Sequence, residues 1–204
     1  MYKKIVLFCM VVYGLQQYAA DNNVDSYAMI TPWIEIKPSY FIFSGSLMHE
    51  IYHHGGFQIQ ASASVPLSDY CDVYTSIGYR KAWGNALNSD ENTDVMVVPI
   101  DLGIKPVVTI DEHCYYFVAF GPRFFYMHQY NDSAYINTNV HGGGIGFFIN
   151  TGFDMRVTDH FVLGIFGEYS YEKENIYATT ENVYSNGPVQ IGGFSVGLSF
   201  GYAF

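Results

Sequence analysis

The sequence Phe194-Ser-Val-Gly-Leu-Ser-Phe-Gly-Tyr-Ala-Phe204 decides the fold of this chain. Large apolar side chains occupy every second position of this stretch, and only Ser, Gly and Ala stand between them. Because a β-strand points successive side chains to opposite faces, the stretch predicts a strand with one apolar face and one face of small residues. Such a strand suits a closed barrel in lipid, where the apolar face needs no protein partner.

The composition of the whole chain agrees with a membrane barrel. The chain has 204 residues, of which 18% are aromatic and only 14% are charged. Roughly a quarter of the residues are charged in an ordinary soluble domain. Beyond residues 1–20 the chain has no apolar run of about 18 or more residues, so helical membrane spans are excluded. The net charge of −10 argues against a nucleic-acid partner, because an acidic chain gains no counterion-release energy.

The N-terminus has the pattern of a secretory signal peptide. Lys3-Lys4 supplies the positive start, Ile5 to Leu15 forms an apolar core, and Ala19-Ala20 offers small residues for cleavage. We therefore expect a signal peptide at 1–20, an N-terminal periplasmic segment at 21–32 and the barrel at 33–204.

Eight strands are predicted after the signal peptide, and short turns alternate with long loops between them. The predicted strands are 33–43, 55–67, 72–82, 94–110, 115–127, 143–157, 161–171 and 190–204. The long connections, rich in Asn, Asp, Ser, His and Tyr, are 44–54, 83–93, 128–142 and 172–189. This asymmetry is typical of outer-membrane barrels. The sequence predicts an all-β, eight-stranded, antiparallel, up-and-down transmembrane β-barrel with short periplasmic turns and longer extracellular loops.

The polar face of the strands decides which side of the barrel points inward. A soluble lipocalin-like barrel would bury the apolar face, whereas a membrane barrel turns it toward lipid. The polar face mixes Gly and Ser with charges of both signs, which is typical of a crowded interior. Prolines inside the strands argue against this assignment of inner and outer faces. A β-bulge at a proline would exchange the two faces for the residues that follow it in the strand. These prolines are Pro38, Pro66, Pro99, Pro106 and Pro122.

Nine charged residues are predicted to point into the lumen. Arg80, Asp101, Arg123 and Glu168 are expected nearer the long loops, and the periplasmic half is expected to hold Glu35, Lys37, Lys105, Asp154 and Arg156. Eight strands enclose a space that side chains just fill. An unpaired buried charge costs several kcal/mol, so these residues are expected to form a paired network that plugs the lumen. The acidic clusters at 90–94 and 172–181 are expected in exposed loops.

The stretch His49-Glu50-Ile51-Tyr52-His53 matches the H-E-x-x-H zinc signature. It lies in a predicted loop, and Gly55-Gly56 leaves little room for the helix that a zinc protease needs. We therefore expect neither zinc hydrolase activity nor a cofactor. His49, His53 and His54 are weak candidates for adventitious metal binding.

Two further residue types, His and Cys, leave alternatives open. A loop His such as His128 or His141 fits a lipid-modifying enzyme, although nothing in the sequence specifies one. Cys71 and Cys114 fall in predicted periplasmic turns separated by two strands, so free thiols and intermolecular bonds both remain open.

The chain resembles the small outer-membrane barrels, including the transmembrane domain of outer membrane protein A, outer membrane protein X and outer membrane protein W. The resemblance rests on the strand count, the loop asymmetry and the terminal Phe200, Tyr202 and Phe204. These aromatic residues are similar to the family's recognition signal for the barrel-assembly machinery. The resemblance implies residence in a bacterial outer membrane, but this fold hosts many activities.

The predicted function is that of a non-enzymatic barrel with a plugged lumen. Its loops would contact host or neighbouring surface proteins, and its surroundings would be outer-membrane lipid and lipopolysaccharide. A narrow channel for small solutes or small hydrophobic molecules is the first alternative, and an outer-membrane lipid-modifying enzyme is the second.

Overall fold

The computed structural model describes residues 31–86, 91–131, 139–175 and 188–204. Ten strands and one short helix form within these residues. They are β1 (Trp33–Phe43), α1 (Ser46–Ile51), β2 (Gly56–Ser68), β3 (Cys71–Asn85), β4 (Asn92–Asp111), β5 (Cys114–Asn131), β6 (Asn139–Arg156), β7 (Phe161–Tyr171), β8 (Lys173–Asn175), β9 (Pro188–Gln190) and β10 (Gly193–Ala203).

Eight of these strands close into an antiparallel barrel, which confirms the predicted fold class. The order around the barrel is β1-β10-β7-β6-β5-β4-β3-β2, and β8 pairs with β9 in a separate small hairpin. The barrel closes through β1 and β10, where Trp33 pairs with Ala203 and Ile42 pairs with Phe194. The described part of the chain contains no helix that is long and apolar enough to cross a membrane.

Alternation of burial along most of the strands separates an apolar outer face from a polar inner face. In β1 the outward Ile34, Ile36 and Ile42 are exposed, whereas the inward Glu35 and Lys37 are buried. This arrangement is the one that a membrane barrel requires, because the exposed apolar band meets lipid and the polar side chains satisfy one another inside.

Register is continuous past four of the five prolines. A shift occurs beside Pro66, between Pro66 and Ser68 at the end of β2. The pairing of β1 with β10 keeps one register on both sides of Pro38, and that of β4 with β5 does so across Pro99. The faces therefore do not reverse along the barrel strands.

The long loops at one end of the barrel are shorter than predicted. β3 continues to Asn85, and β5 and β6 extend through His128 and His141, so the predicted loops 83–93 and 128–142 are wrong at their edges. The strands project beyond the apolar band, where both faces carry polar residues and the alternation that marks a strand in sequence disappears. The remainder of these loops lies outside the described residues, as do the signal peptide at 1–20 and most of the segment 21–32.

The loop 44–54, predicted to have little room for a helix, contains the six-residue helix α1. Gly55 makes this helix possible because it adopts a φ of 66° immediately before β2. A side chain at this position would collide with the carbonyl oxygen of Phe41. The left-handed conformation turns the chain sharply enough for a helical turn to precede a strand without extra residues.

Cys71 and Cys114 are free and partly exposed in the structure. We therefore expect both thiols of the detergent-solubilised, folded protein to react with a maleimide reagent without prior reduction. Mass spectrometry of the labelled protein checks this, with the Cys71→Ser variant losing one label as the control. Complete protection of both thiols would contradict it.

Candidate functional site

Arg123 lies at the centre of a buried group of ion pairs in the lumen. Its Nε and Nη2 donate to the two oxygens of Asp101 at 2.6 and 2.8 Å. Its Nη2 also lies 2.8 Å from Glu168 Oε1, and its Nη1 lies 3.2 Å from Glu172 Oε1. One guanidinium thus binds three carboxylates, and the bidentate pair with Asp101 is the geometry that fixes an Arg–carboxylate contact most strongly.

Arg80 completes this set, which we call the upper ion group: Arg80, Asp101, Arg123, Glu168 and Glu172. Its Nε donates to Gln58 Oε1 at 2.8 Å, and its Nη1 lies 3.5 Å from Glu172 Oε1. Its guanidinium lies 3.5 Å from the centre of the Phe41 ring. Two cations thus face three carboxylates, which leaves one excess negative charge. Neutral hydrogen-bond donors stabilise this charge.

Neutral side chains supply the remaining hydrogen bonds of the upper ion group. Ser76 donates to Asp101 at 2.6 Å, and both Gln60 and Asn150 donate to Glu168 Oε2 at 3.3 Å. Carboxylates taken out of water need such donors, because their desolvation otherwise exceeds the Coulomb gain.

The lower ion group consists of Glu35, Lys105 and Asp154. Lys105 Nζ lies 3.1 Å from Asp154 Oδ2 and 3.8 Å from Glu35 Oε2. Ser62 donates to Glu35 at 3.0 Å, and Ser199 donates to Asp154 at 3.2 Å. In this group a single cation thus lies between two carboxylates, much as Arg123 lies among three carboxylates in the upper ion group.

An aromatic layer links the two ion groups. The rings of Tyr74 and Phe148 lie 5.7 Å apart. The Arg123 guanidinium lies 5.5 Å from the Phe148 ring, and Lys37 Nζ lies 5.7 Å from the Tyr74 ring. Lys37 Nζ also lies 4.4 Å from the Phe166 ring, and within the described chain it has no hydrogen-bond acceptor. Lys37 is thus held by cation–π contacts rather than by an ion pair.

Apolar clusters lie toward both ends of the lumen. At the end with the short turns, Trp33, Tyr115, Val162 and Ala203 pack together. At the opposite end lies a larger cluster from the strand tips, α1 and the segment after β9: Phe41, Phe43, Met48, Tyr52, Ala82, Val95, Val97, Phe125, Met127, Val189 and Ile191. Burial raises the pKa of Tyr52 in this cap to about 12, because its ionised form would lose hydration there.

Seven of the nine predicted lumen charges belong to the two ion groups, and two do not. Lys37 is buried but unpaired, and Arg156 is half-buried at the rim, 5.9 Å from the Tyr115 ring. The sequence reading missed Glu172 and Asp72, which are both buried. It placed Glu172 in an exposed acidic loop, which is wrong. The two-residue alternation of β7, which ends at Tyr171, would have pointed Glu172 inward with Glu168 and Ser170.

The two His residues of the H-E-x-x-H stretch and the adjacent His54 lie around the end of α1. His49 is in the helix, whereas His53 and His54 follow it with their rings 3.9 Å apart. Among the residues that the structure describes, no three His, Cys, Asp or Glu side chains converge as metal ligands. The helix ends at Ile51, so the one-face arrangement of a zinc protease does not form.

His128 and His141 pair on the outer wall of the barrel. Their rings stack 4.4 Å apart, and His141 Nδ1 shares a 2.7 Å hydrogen bond with the Tyr126 hydroxyl. This arrangement connects the neighbouring strands β5 and β6 on the outer wall. Phe200, Tyr202 and Phe204, the predicted assembly signal, all point outward on the last strand.

Comparison with solved structures identifies the same architecture in bacterial outer-membrane proteins. OprG of Pseudomonas aeruginosa matches with a TM-score of 0.64 at 12% identity, covering 85% of this chain and 96% of that chain. Neisserial surface protein A matches with a TM-score of 0.56 at 14% identity, covering 85% and 97%. Ail, the attachment invasion locus protein of Yersinia pestis, matches with a TM-score of 0.50 at 12% identity, covering 84% and 98%.

Comparison of sequences alone identifies no related protein. No family model matches the chain, and no curated protein is significantly similar to it. The similarity therefore concerns the fold, which is that of proteins residing in the bacterial outer membrane, the location that the sequence predicts. The chain thus has the fold of the small eight-stranded outer-membrane β-barrels.

Proposed function

We propose that this protein is a non-enzymatic integral barrel of a bacterial outer membrane, with a filled lumen and an extracellular surface that carries its function. The contact of Arg123 with three buried carboxylates supports this proposal most directly. A conducting lumen needs a continuous wet path, whereas these side chains fill the barrel from wall to wall and apolar clusters cover both ends.

The similar structures favour a surface role over an enzymatic one. They are described as a surface protein, an attachment protein and an outer-membrane protein, and these descriptions name no catalytic activity. A structure of Ail contains the heparin analogue sucrose octasulfate. The net charge of −10 makes a sulfated polyanion a poor ligand for the present chain. We propose contacts with lipopolysaccharide, with neighbouring surface proteins or with host proteins.

The route to the membrane is part of the same proposal. We infer that residues 1–20 direct export as a signal peptide and that residues 21–32 stay in the periplasm before the barrel. The outward aromatic side chains of β10 would then present the C-terminal strand to the barrel-assembly machinery.

Bilayer conductance tests the proposed closure of the lumen. We expect the purified protein to give no stepwise currents in planar bilayers, because neither end cluster leaves an aqueous path. The Lys81→Ala variant, which changes only exposed contacts with Asp94 and Trp83, should be equally silent. Regular single-channel steps from the unmodified protein would contradict the proposal.

A narrow channel is the second candidate, and one observation favours it. Lys37 Nζ, Arg80 Nη2 and Glu172 Oε2 are buried without hydrogen-bond partners among the described residues. Ordered water is the usual partner of such atoms, so the lumen between the end clusters is a suitable place for bound water. Conduction would then require opening of the apolar cluster around Tyr52. Currents from the unmodified protein would favour this candidate over the closed barrel.

A further inference from the structure

A polar pocket lies on the outer wall of the barrel at the end with the long loops. Its volume is about 630 Å³, within the range of roughly 300–1,000 Å³ that is common for small-molecule sites. The tips of β3, β4 and β5 and the chain after α1 surround it. The lining residues are His53, His54, Trp83, Gly84, Asn85, Asn92, Thr93, Asp94 and Tyr130.

Two exposed aromatic rings stand at this pocket. Trp83 is 59% exposed and Tyr130 is 42% exposed. Both pair directly with Asp94 on the intervening strand, so the three side chains form one row across the wall. Aromatic rings that remain accessible beside polar groups give a ligand an apolar face to pack against and nearby hydrogen-bond partners.

The polar groups of the pocket favour a neutral ligand. Asn85 and Asn92 offer both donors and acceptors. The carboxylate of Asp94 is already paired with Lys81, with Nζ and Oδ2 3.3 Å apart. Neither Arg nor Lys lines the described pocket, which disfavours a phosphate or sulfate ligand, and no group of metal ligands converges in the described residues.

The pocket is built on a rigid floor. The Thr93 hydroxyl donates to Asn131 Oδ1 at 2.8 Å and lies 3.1 Å from the Tyr52 hydroxyl. Gly84 lets the chain after α1 approach β3, because a side chain there would collide with the carbonyl oxygen of Ile51. This close contact brings His53 and His54 to the same pocket as Trp83. A preformed floor reduces the entropy lost on binding.

The position of the pocket along the barrel axis, relative to the apolar band, limits the possible sources of the ligand. Below the row of Trp83 lies the row of Lys81, Met96 and His128, and the next row contains Val98 and Tyr126. The outer face is apolar from the row of Val98 downward, through Ile77 and Ile100. From Ile77 to Trp83 is about 20 Å along the strand at ~3.3 Å per residue. The pocket is thus above the apolar band, at the level where the headgroups of the outer leaflet are expected.

We propose that this pocket binds a neutral saccharide, with Trp83 and Tyr130 packing on the C–H face of a sugar ring and the Asn side chains hydrogen-bonding its hydroxyl groups. The inference rests on the proposed function only in placing this end of the barrel outside the cell. The level of the outward Trp83 and Tyr130, just above the apolar band, favours the sugars of a membrane glycolipid, and a free glycan offers the same chemistry.

Trp83 provides the reporter for the test. The chain has only two Trp residues, and Trp33 is buried in the cluster at the opposite end. A Trp33→Phe variant therefore isolates the emission of Trp83. The protein should be purified in a phosphocholine detergent, because maltoside and glucoside detergents carry the very group under test.

The first arm titrates neutral methyl hexosides and disaccharides into this variant. At least one should give a saturable change in Trp83 emission and protect Trp83 from acrylamide quenching. Adding Tyr130→Ala should weaken that binding about tenfold. The control Tyr79→Ala, on the same outward face of β3 and comparably exposed, should leave it unchanged.

The second arm compares nanodiscs that contain lipopolysaccharide with a complete core oligosaccharide and nanodiscs that contain lipid A alone. Protection of Trp83 only with the core sugars would support the glycolipid source. Saccharide binding in the first arm with equal protection in both nanodiscs would support a free glycan. The proposal is overturned if neither arm protects Trp83, or if Tyr79→Ala weakens binding as much as Tyr130→Ala. The conductance experiment is independent of both arms. Failure of the proposed closed barrel can therefore be distinguished from failure of the proposed saccharide pocket.

Discussion

Replacing Arg123 with Ala is expected to lower the free energy of unfolding by about 3–5 kcal/mol. The substitution leaves Asp101, Glu168 and Glu172 buried around a missing cation. Their mutual repulsion and lost hydration oppose folding, because water does not reach them as it would at a surface. Urea-induced unfolding in lipid vesicles, followed by Trp fluorescence, measures the loss.

The exposed pair of Lys81 and Asp94 provides the matched control. Its side chains are 33% and 30% exposed, so Lys81→Ala should cost only about 0–1 kcal/mol. The Arg123→Ala/Glu168→Ala double variant should be less destabilised than the sum of the two single variants, because removing the partner relieves the repulsion. Equal losses for Arg123→Ala and Lys81→Ala, or simple additivity, would contradict the ion group as described.

Replacing Ile100 with Arg is expected to cost about 2–4 kcal/mol, because the new charge would face the centre of the bilayer. Ile100 is on the outward face near the middle of β4, with Leu102 and Ile104 beside it. The same unfolding experiment in vesicles measures the effect.

Ile110→Arg is the control for this prediction. Ile110 is on the same strand, is exposed and stands next to a short turn. A charge near the membrane surface should cost only about 0–1 kcal/mol. If Ile110→Arg destabilised the protein as much as Ile100→Arg, the depth dependence that a lipid-facing wall requires would be absent.

Alternation made most of the barrel predictable from the sequence. β1 and β7 have the predicted bounds because their apolar faces run the full length of the strand. The outward and inward faces were also predictable, since β10 carries only Ser, Gly and Ala between its large residues. Such patterns depend on the environment of each face alone and need no knowledge of neighbouring strands.

The structure beyond the membrane was less predictable. Residues such as His128, Gln129 and Tyr130 continue β5 beyond the apolar band, where no two-residue hydrophobic alternation marks the strand in sequence. α1 depends on Gly55 and on packing of Met48 into the apolar cap, which is a tertiary effect. Local sequence carries little information where hydrophobic periodicity stops.

The partners within the lumen were not predictable from one sequence. Asp101 and Arg123 meet because β4 pairs with β5 in one register, and Glu168 reaches Arg123 from β7 across the lumen. The expectation of paired charges follows from the cost of burying ions, but the identity of each pair depends on the stagger of the whole barrel. The partners of Lys37 were equally unpredictable from the sequence, because aromatic rings rather than carboxylates surround it.

The central claim is that adjacent residues on one strand face lipid and a packed interior, and Val97 and Val98 test it most directly. Val97 is fully buried in the upper apolar cluster, whereas Val98 is on the outward face. With methyl-labelled valine in lipid nanodiscs, NMR should show cross-peaks from lipid acyl chains to Val98 and none to Val97. Cross-peaks to Val97 and not to Val98, or a protein that stays soluble without lipid or detergent, would contradict it.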